Sequence, residues 1–178
     1  HVIEQNTLRL EAVFDGERPV GSTRDMRTWY TTRVAEPTQR SQISHIVVDS
    51  GWEKYAANVA ETHPDVAAWA KNDHLGFHIL YLWNGTKRKY IPDFLVRFKS
   101  GKILVLEIKG EDSPQDQAKR RAMDQWVQAV NAQGGLGHWA WDVVVGSMAA
   151  MQDVMAKHAS QAGIDDARHS DNLTSETV

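Results

Sequence analysis

The sequence predicts a single α/β domain in which a central mixed β-sheet is flanked by helices. Three observations predict it. Short runs of β-branched and aromatic residues alternate with longer stretches of helical periodicity. Two tight-turn signals, Asn84-Gly85 and Ser100-Gly101, fall between apolar runs, where a hairpin would place them. The length of 178 residues suits one core, and no repeat or internal linker divides the chain.

The elements follow in order. Leu8, Leu10, Ala12 and Phe14 alternate with polar residues until Asp15-Gly16 ends the run. Residues 26–34 are rich in Thr, Trp and Tyr, residues 43–48 are β-branched, and Glu36-Pro37 reads as the loop between these two strands. Ser50 and Glu53 then fit a capping box, as N-cap and N3. Trp52, Tyr55, Ala56, Val59 and Ala60 follow on one helical face. A short helical turn is expected after Pro64, with Val66, Trp69 and Ala70 inward and Asn72 at its end. Residues 76–83, 90–98 and 102–109 read as strands. Ser113-Pro114 opens a long helix as N-cap and N1, Gly134-Gly135 closes it, and Ala118, Ala122, Trp126, Ala129 and Val130 form its apolar stripe. Residues 139–145 read as a strand and residues 147–158 as a final helix. The folded domain is thus expected over residues 1–160, with N-terminal strands in 1–48 and a core in 50–145. Residues 161–178 form a polar tail expected to be disordered.

Composition narrows the function. Hydrophobic residues make up 42% and charged residues 24%, which fits a globular chain, and no run approaches the roughly 20 apolar residues of a membrane helix. The absence of cysteine excludes disulfides, thiolate metal sites and cysteine nucleophiles. The chain opens on His1 without an apolar leader, so it reads as a piece of a larger protein, with a cytoplasmic location expected. The net charge of −3 lies in residues 161–178, where Asp165, Asp166, Asp171 and Glu176 outweigh Arg168. Residues 1–160 are neutral, and their basic runs Lys87-Arg88-Lys89 and Lys119-Arg120-Arg121 bear more on partners than the total does.

The stretch that carries chemistry is Tyr90-Ile91-Pro92-Asp93-Phe94, followed by Leu106-Glu107-Ile108-Lys109-Gly110. Side chains alternate along a strand, so Glu107 and Lys109 share one face while Leu104, Leu106 and Ile108 share the other. With a two-residue turn at Ser100-Gly101, Asp93 lies opposite Ile108; with a three-residue loop it lies opposite Glu107. Either register brings Asp93 within about one residue of Glu107, where cross-strand Cβ atoms are roughly 5 Å apart, and two carboxylates this close repel unless a cation lies between them. Oxygen ligands of this kind suit Mg²⁺ or Mn²⁺. Lys109 beside them is placed to orient a water or to neutralise charge developing on a phosphorus centre.

Pro92-Asp93, thirteen intervening residues and Glu107-Ile108-Lys109 resemble the PD-(D/E)xK nuclease motif. The likeness extends over Trp29-Tyr30-Thr31-Thr32, Ser44-His45, Asp49-Ser50-Gly51-Trp52-Glu53, Asn72, Gly76-Phe77, Lys119 and Trp126. In that order they are similar to the C-terminal endonuclease domain of type III restriction enzymes, over most of residues 27–145. The resemblance implies a restriction-endonuclease-like fold and Mg²⁺-dependent cleavage of double-stranded DNA, with Mn²⁺ as a substitute, leaving 5′-phosphate and 3′-hydroxyl ends. It implies Asp93, Glu107, the Ile108 carbonyl and Glu53 as metal ligands, and Lys109 as the residue that positions or activates the attacking water. The capping box gives Glu53 a second role that needs no metal. In this family an ATP-driven translocase and a methylation subunit act with the nuclease. No G-x-x-x-x-G-K-[ST] loop is present, so the chain has no ATP site of its own.

Lys87, Arg88, Lys89, Lys119 and Arg120 are the candidate DNA contacts, each also explicable as a solvated basic surface. His74 and His78, four residues apart, fall in a loop and a strand without a third ligand, so zinc is not expected. His45 reads as a structural hydrogen-bonding residue, and most of the seven tryptophans read as core. The competing functions are a stand-alone nuclease of the same fold acting in DNA repair or processing, and an inactive nuclease-like domain used for DNA binding or assembly.

Overall fold

The computed structural model describes residues 23–48, 50–109, 113–145 and 147–160. The strand expected at residues 8–14 and the tail 161–178 lie outside them. After a 3₁₀ turn at Thr23–Asp25 come β1 (Ala35–Pro37), β2 (His45–Val47), α1 (Gly51–Thr62), β3 (Val66–Lys71), β4 (Ile79–Trp83), β5 (Thr86–Tyr90) and β6 (Phe94–Phe98). They are followed by β7 (Ile103–Lys109), α2 (Pro114–Gln133), β8 (Trp139–Val145) and α3 (Met148–Ser160). The central sheet has the order β3-β6-β7-β8 and is mixed: β3/β6 and β6/β7 are antiparallel, β7/β8 parallel. Among the described residues two small ribbons, β1–β2 and β4–β5, and three flanking helices complete a mixed α/β domain. No helix among the described residues is long and apolar enough to cross a membrane.

Alternation along the central strands sends side chains to two cores. Leu104 and Leu106 of β7 join Phe94, Val96 and Phe98 of β6 against α1 and α3, with Ala56, Ala60, Met151 and Met155 in the same cluster. Val105 points the other way, into a second cluster with Ile79, Tyr81, Tyr90, Ala118 and Met123 under α2 and the β4–β5 ribbon. Glu107 and Lys109 alternate with Leu106 and Ile108, so they belong to the α2 face.

Several expectations are corrected. The helical turn expected after Pro64 is strand β3. A bulge between Val66 and Ala68 shifts its register against β6, so Val66 and Trp69 both reach the core; that extra residue gives a strand the i, i+3 spacing of a helix. Residues 26–34 hold no strand, and Glu36-Pro37, expected as a loop, lies in β1 against Ile46 and His45. The expected strand 90–98 is two: Tyr90 ends β5 and Phe94 begins β6, because Pro92 lacks an N–H and restricts the residue before it. Lys87, Arg88 and Lys89 sit within β5 of the β4–β5 hairpin, paired with Leu82, Tyr81 and Leu80. Trp52, expected on the apolar stripe of α1, is 38% exposed. The loop at Ser100-Gly101 is the three-residue alternative. Phe98 and Lys102 close it, with Gly101 at φ +88°, a left-handed conformation that suits glycine.

Candidate active site

The site forms where β5, β6 and β7 converge on the first turn of α2. Buried Asn72 fixes the Pro92-Asp93 segment: its backbone N–H donates to the Asp93 carbonyl at 2.8 Å, and its Nδ2 donates to the carbonyls of Pro92 and Phe77, both at 2.9 Å. The β6–β7 ladder pairs Phe94 with Leu106, so one step further Asp93 stands opposite Glu107. There the side chain takes over from the backbone. Asp93 Oδ2 accepts the Ile108 N–H at 2.7 Å, and no hydrogen bond within the described residues engages its other oxygen. Burial pushes the Asp93 carboxyl above its ordinary range; the Ile108 N–H opposes the shift and the Glu53 charge adds to it.

Glu107 is 8% exposed. Its Oε2 accepts the Tyr90 hydroxyl at 3.0 Å, and its Oε1 lies 3.4 Å from Lys109 Nζ. Burial first, and then the Asp93 charge, raise its pKa to about 7. Tyr90 is held well above the ordinary phenol value by burial and the Glu107 charge, so it donates to the carboxylate and stays neutral.

Lys109 is shared. Its ammonium lies 2.6 Å from Asp116 Oδ1, nearer than to Glu107, and Lys119 Nζ reaches the same oxygen at 3.0 Å. The other Asp116 oxygen accepts the Ser113 N–H at 3.0 Å and the Ser113 hydroxyl at 2.6 Å. Asp116 is 5% exposed. Burial alone would raise its pKa, but the hydrogen bonds from Lys109, Ser113 and Lys119 outweigh it and hold the carboxyl far below the usual range. Burial likewise works against the Lys109 ammonium, and Asp116 and Glu107 overcome it, raising the Lys109 pKa. Lys119 also lies 5.6 Å over the Tyr90 ring.

On the β3 side, Glu53 Oε2 lies 3.0 Å from Lys71 Nζ. The capping box is present in part: the Glu53 N–H donates to Ser50 Oγ at 3.2 Å. Asp93, Glu107 and Lys109 are therefore brought into one cluster, Lys119 joins it through Asp116, and Glu53 borders it through its charge on Asp93. Arg120 is half-buried one residue further along α2, while Lys87, Arg88 and Lys89 are exposed on the β4–β5 ribbon. Lys87 and Arg121 wall a groove of about 410 Å³ between that ribbon and α2. His78 Nδ1 is 2.8 Å from the Gly76 carbonyl, and the His74 ring lies 4.3 Å from that of Trp29.

Lys71, its neighbour Asp73 at 3.1 Å, and Asp116 escaped the sequence reading. Lys71 lay hidden in the turn that proved to be β3. Asp116 carried a usable signal, since it stands three residues after the N-cap Ser113, the spacing of a capping box. Among the described residues no three His, Asp or Glu side chains are gathered as a ready metal cage. The donor chemistry nevertheless suits a hard divalent cation. Buried Glu107 and half-buried Asp93 lie on neighbouring strands, both with raised pKa values, and one Asp93 oxygen is unengaged within the described residues. Compared with protein-family models, curated proteins and solved structures, the chain matches none of them.

Proposed function

We propose that this domain is a metal-dependent DNA endonuclease of restriction-endonuclease-like fold, serving as the cleavage module of a type III restriction enzyme. The observation that carries the reading is the apposition of Asp93 and Glu107 on neighbouring strands with the Lys109 ammonium 3.4 Å from Glu107. The motif likeness and the mixed sheet that presents it support the same reading.

Asp93, Glu107 and the Ile108 carbonyl would hold Mg²⁺ or Mn²⁺. When bound, such an ion supplies charge neutralisation at the scissile phosphate and lowers the pKa of the attacking water. The chain's own residues do the rest. Lys109, anchored by Asp116, orients the water in line with the leaving 3′-oxygen and opposes charge developing on phosphate oxygens. Tyr90 keeps the Glu107 carboxylate turned into the site. Lys119 offers a second ammonium to the phosphate next to the scissile one. Lys87, Arg88, Lys89 and Arg120 would contact the duplex backbone and add affinity without base specificity.

The experiment is nicking and linearisation of supercoiled plasmid with Mg²⁺ or Mn²⁺, comparing the wild-type chain with Lys109→Ala. Cleavage that disappears in the variant is the expected result. Cleavage that survives in it removes Lys109 from the chemistry. Wild-type protein that binds Mn²⁺ yet never cuts favours the inactive DNA-binding or assembly module.

A further inference from the structure

Lys71 is a buried cation that the proposed phosphodiester chemistry does not use. It is 4% exposed at the end of β3. Its Nζ donates to the Val47 carbonyl at 2.8 Å and lies 3.0 Å from Glu53 Oε2 and 3.1 Å from Asp73 Oδ2. Burial disfavours the ammonium, but the two carboxylates outweigh it and keep it charged. The same charge reaches Asp93, where it opposes the repulsion from Glu53. Among the described residues the cluster thus has carboxylates at Glu53, Asp73, Asp93, Glu107 and Asp116, against ammoniums at Lys71, Lys109 and Lys119. Lys109 and Lys119 approach from β7 and α2. Lys71 alone of the three approaches from β3.

We propose that Lys71 is a built-in cation that holds Glu53 out of the ligand set of a divalent ion at Asp93 and Glu107. This rests on the metal centre of the proposed function. A Glu53 oxygen occupied by an ammonium is a poor ligand, because a second cation on the same carboxylate meets the repulsion of the first. Removing the Lys71 charge therefore acts twice in one direction: it takes the competing cation off Glu53 Oε2 and removes a positive charge near Asp93. An ion pair that serves only the fold leaves the second effect alone, without uptake of a second ion, and looser packing predicts a loss.

The test is Mn²⁺ titration of the full chain, followed by the electron paramagnetic resonance signal of free Mn²⁺, for wild type, Lys71→Met, Lys71→Arg and the double variant Glu53→Gln/Lys71→Met. Lys71→Met is expected to bind Mn²⁺ about tenfold more tightly or to take up a second ion. Lys71→Arg and the double variant are expected to stay near wild type. Folded Lys71→Met with unchanged or weaker Mn²⁺ binding overturns the proposal. Should Lys71→Met not fold, Lys71→Gln takes its place, with the same gain expected and unchanged or weaker Mn²⁺ binding overturning the proposal. Plasmid cleavage separates this from the nuclease reading. The Mn²⁺ pattern without cleavage removes the nuclease alone, and cleavage with unchanged Lys71→Met affinity removes the Lys71 assignment alone. Wild type that binds no Mn²⁺ removes both.

Discussion

Glu107 sits between opposing demands: burial and the Asp93 charge favour its protonated form, while Tyr90 and Lys109 favour the carboxylate. With a pKa near 7 in the folded state against an ordinary 4.5, the folded protein holds a proton there that the unfolded chain has released. Stability should therefore fall as pH rises from about 4.5 to 7 in the absence of divalent ions, by up to roughly 3 kcal/mol from this group. Urea unfolding in a chelating buffer checks it. Glu107→Gln should flatten the slope, and a slope unchanged by that substitution would place its origin elsewhere. Asp116 gives a second prediction. Asp116→Asn removes the carboxylate charge that Lys109 and Lys119 share, so kcat of plasmid cleavage should drop about 100-fold while DNA affinity changes little. A large loss of DNA binding instead would make Asp116 a substrate-binding determinant. The sequence exposed Asp93, Glu107 and Lys109 because strand alternation and one short hairpin suffice to bring them together. It hid Lys71 because that ammonium meets Glu53 across the β3–α1 packing, a contact no local spacing encodes.

At the scale of elements, the caps, turns and long helix were legible, while bends and interruptions of strands were not. Helix α2 begins at Pro114 and ends at Gln133, as Ser113-Pro114 and Gly134-Gly135 indicate. Strand β8 spans Trp139–Val145, the expected range. Strand β3 has helical spacing in the sequence because its bulge gives Val66 and Trp69 a common face, and pairing with β6 overrides the alanine-rich local preference. The sequence allows two turns between β6 and β7, and the positive φ of Gly101 belongs to the three-residue one. Gly101→Ala should cost about 1 kcal/mol through backbone strain, since nothing lies within 4 Å of an added Cβ. Denaturant unfolding measures it, and cleavage should persist because the register is also set by the ladder. Loss of more than about 3 kcal/mol would mean that the loop holds the hairpin together by itself.

For the whole molecule, the central sheet separates a core under α1 and α3 from one under α2, and the site opens on the second. Leu106 lies fully buried in the first core, one residue from Glu107. Leu106→Ala should lower stability by about 2–5 kcal/mol, read as a lower Tm, and reduce cleavage only through the folded fraction. Reduced cleavage of fully folded protein would show that the cavity tilts β7 and displaces the carboxylate. The α/β class was legible because turn signals and helical periodicity are local. The ribbon status of β4–β5 was not, since the sequence does not encode which sheet a hairpin joins.

The pairing of β6 with β7 closes a loop of three residues, whereas β8 reaches β7 only after the chain has run the length of α2. Contacts close along the chain cost less chain entropy to form and tend to form earlier. The acidic pair would thus be assembled on a nascent hairpin before the helix delivers Asp116 and Lys119 to share the charge. On that order of events refolding passes through a species whose carboxylates lack part of their compensation. A millimolar divalent salt should then accelerate the folding arm of the chevron, an effect Asp93→Asn would abolish, so that the ion acts during assembly as well as in the finished site.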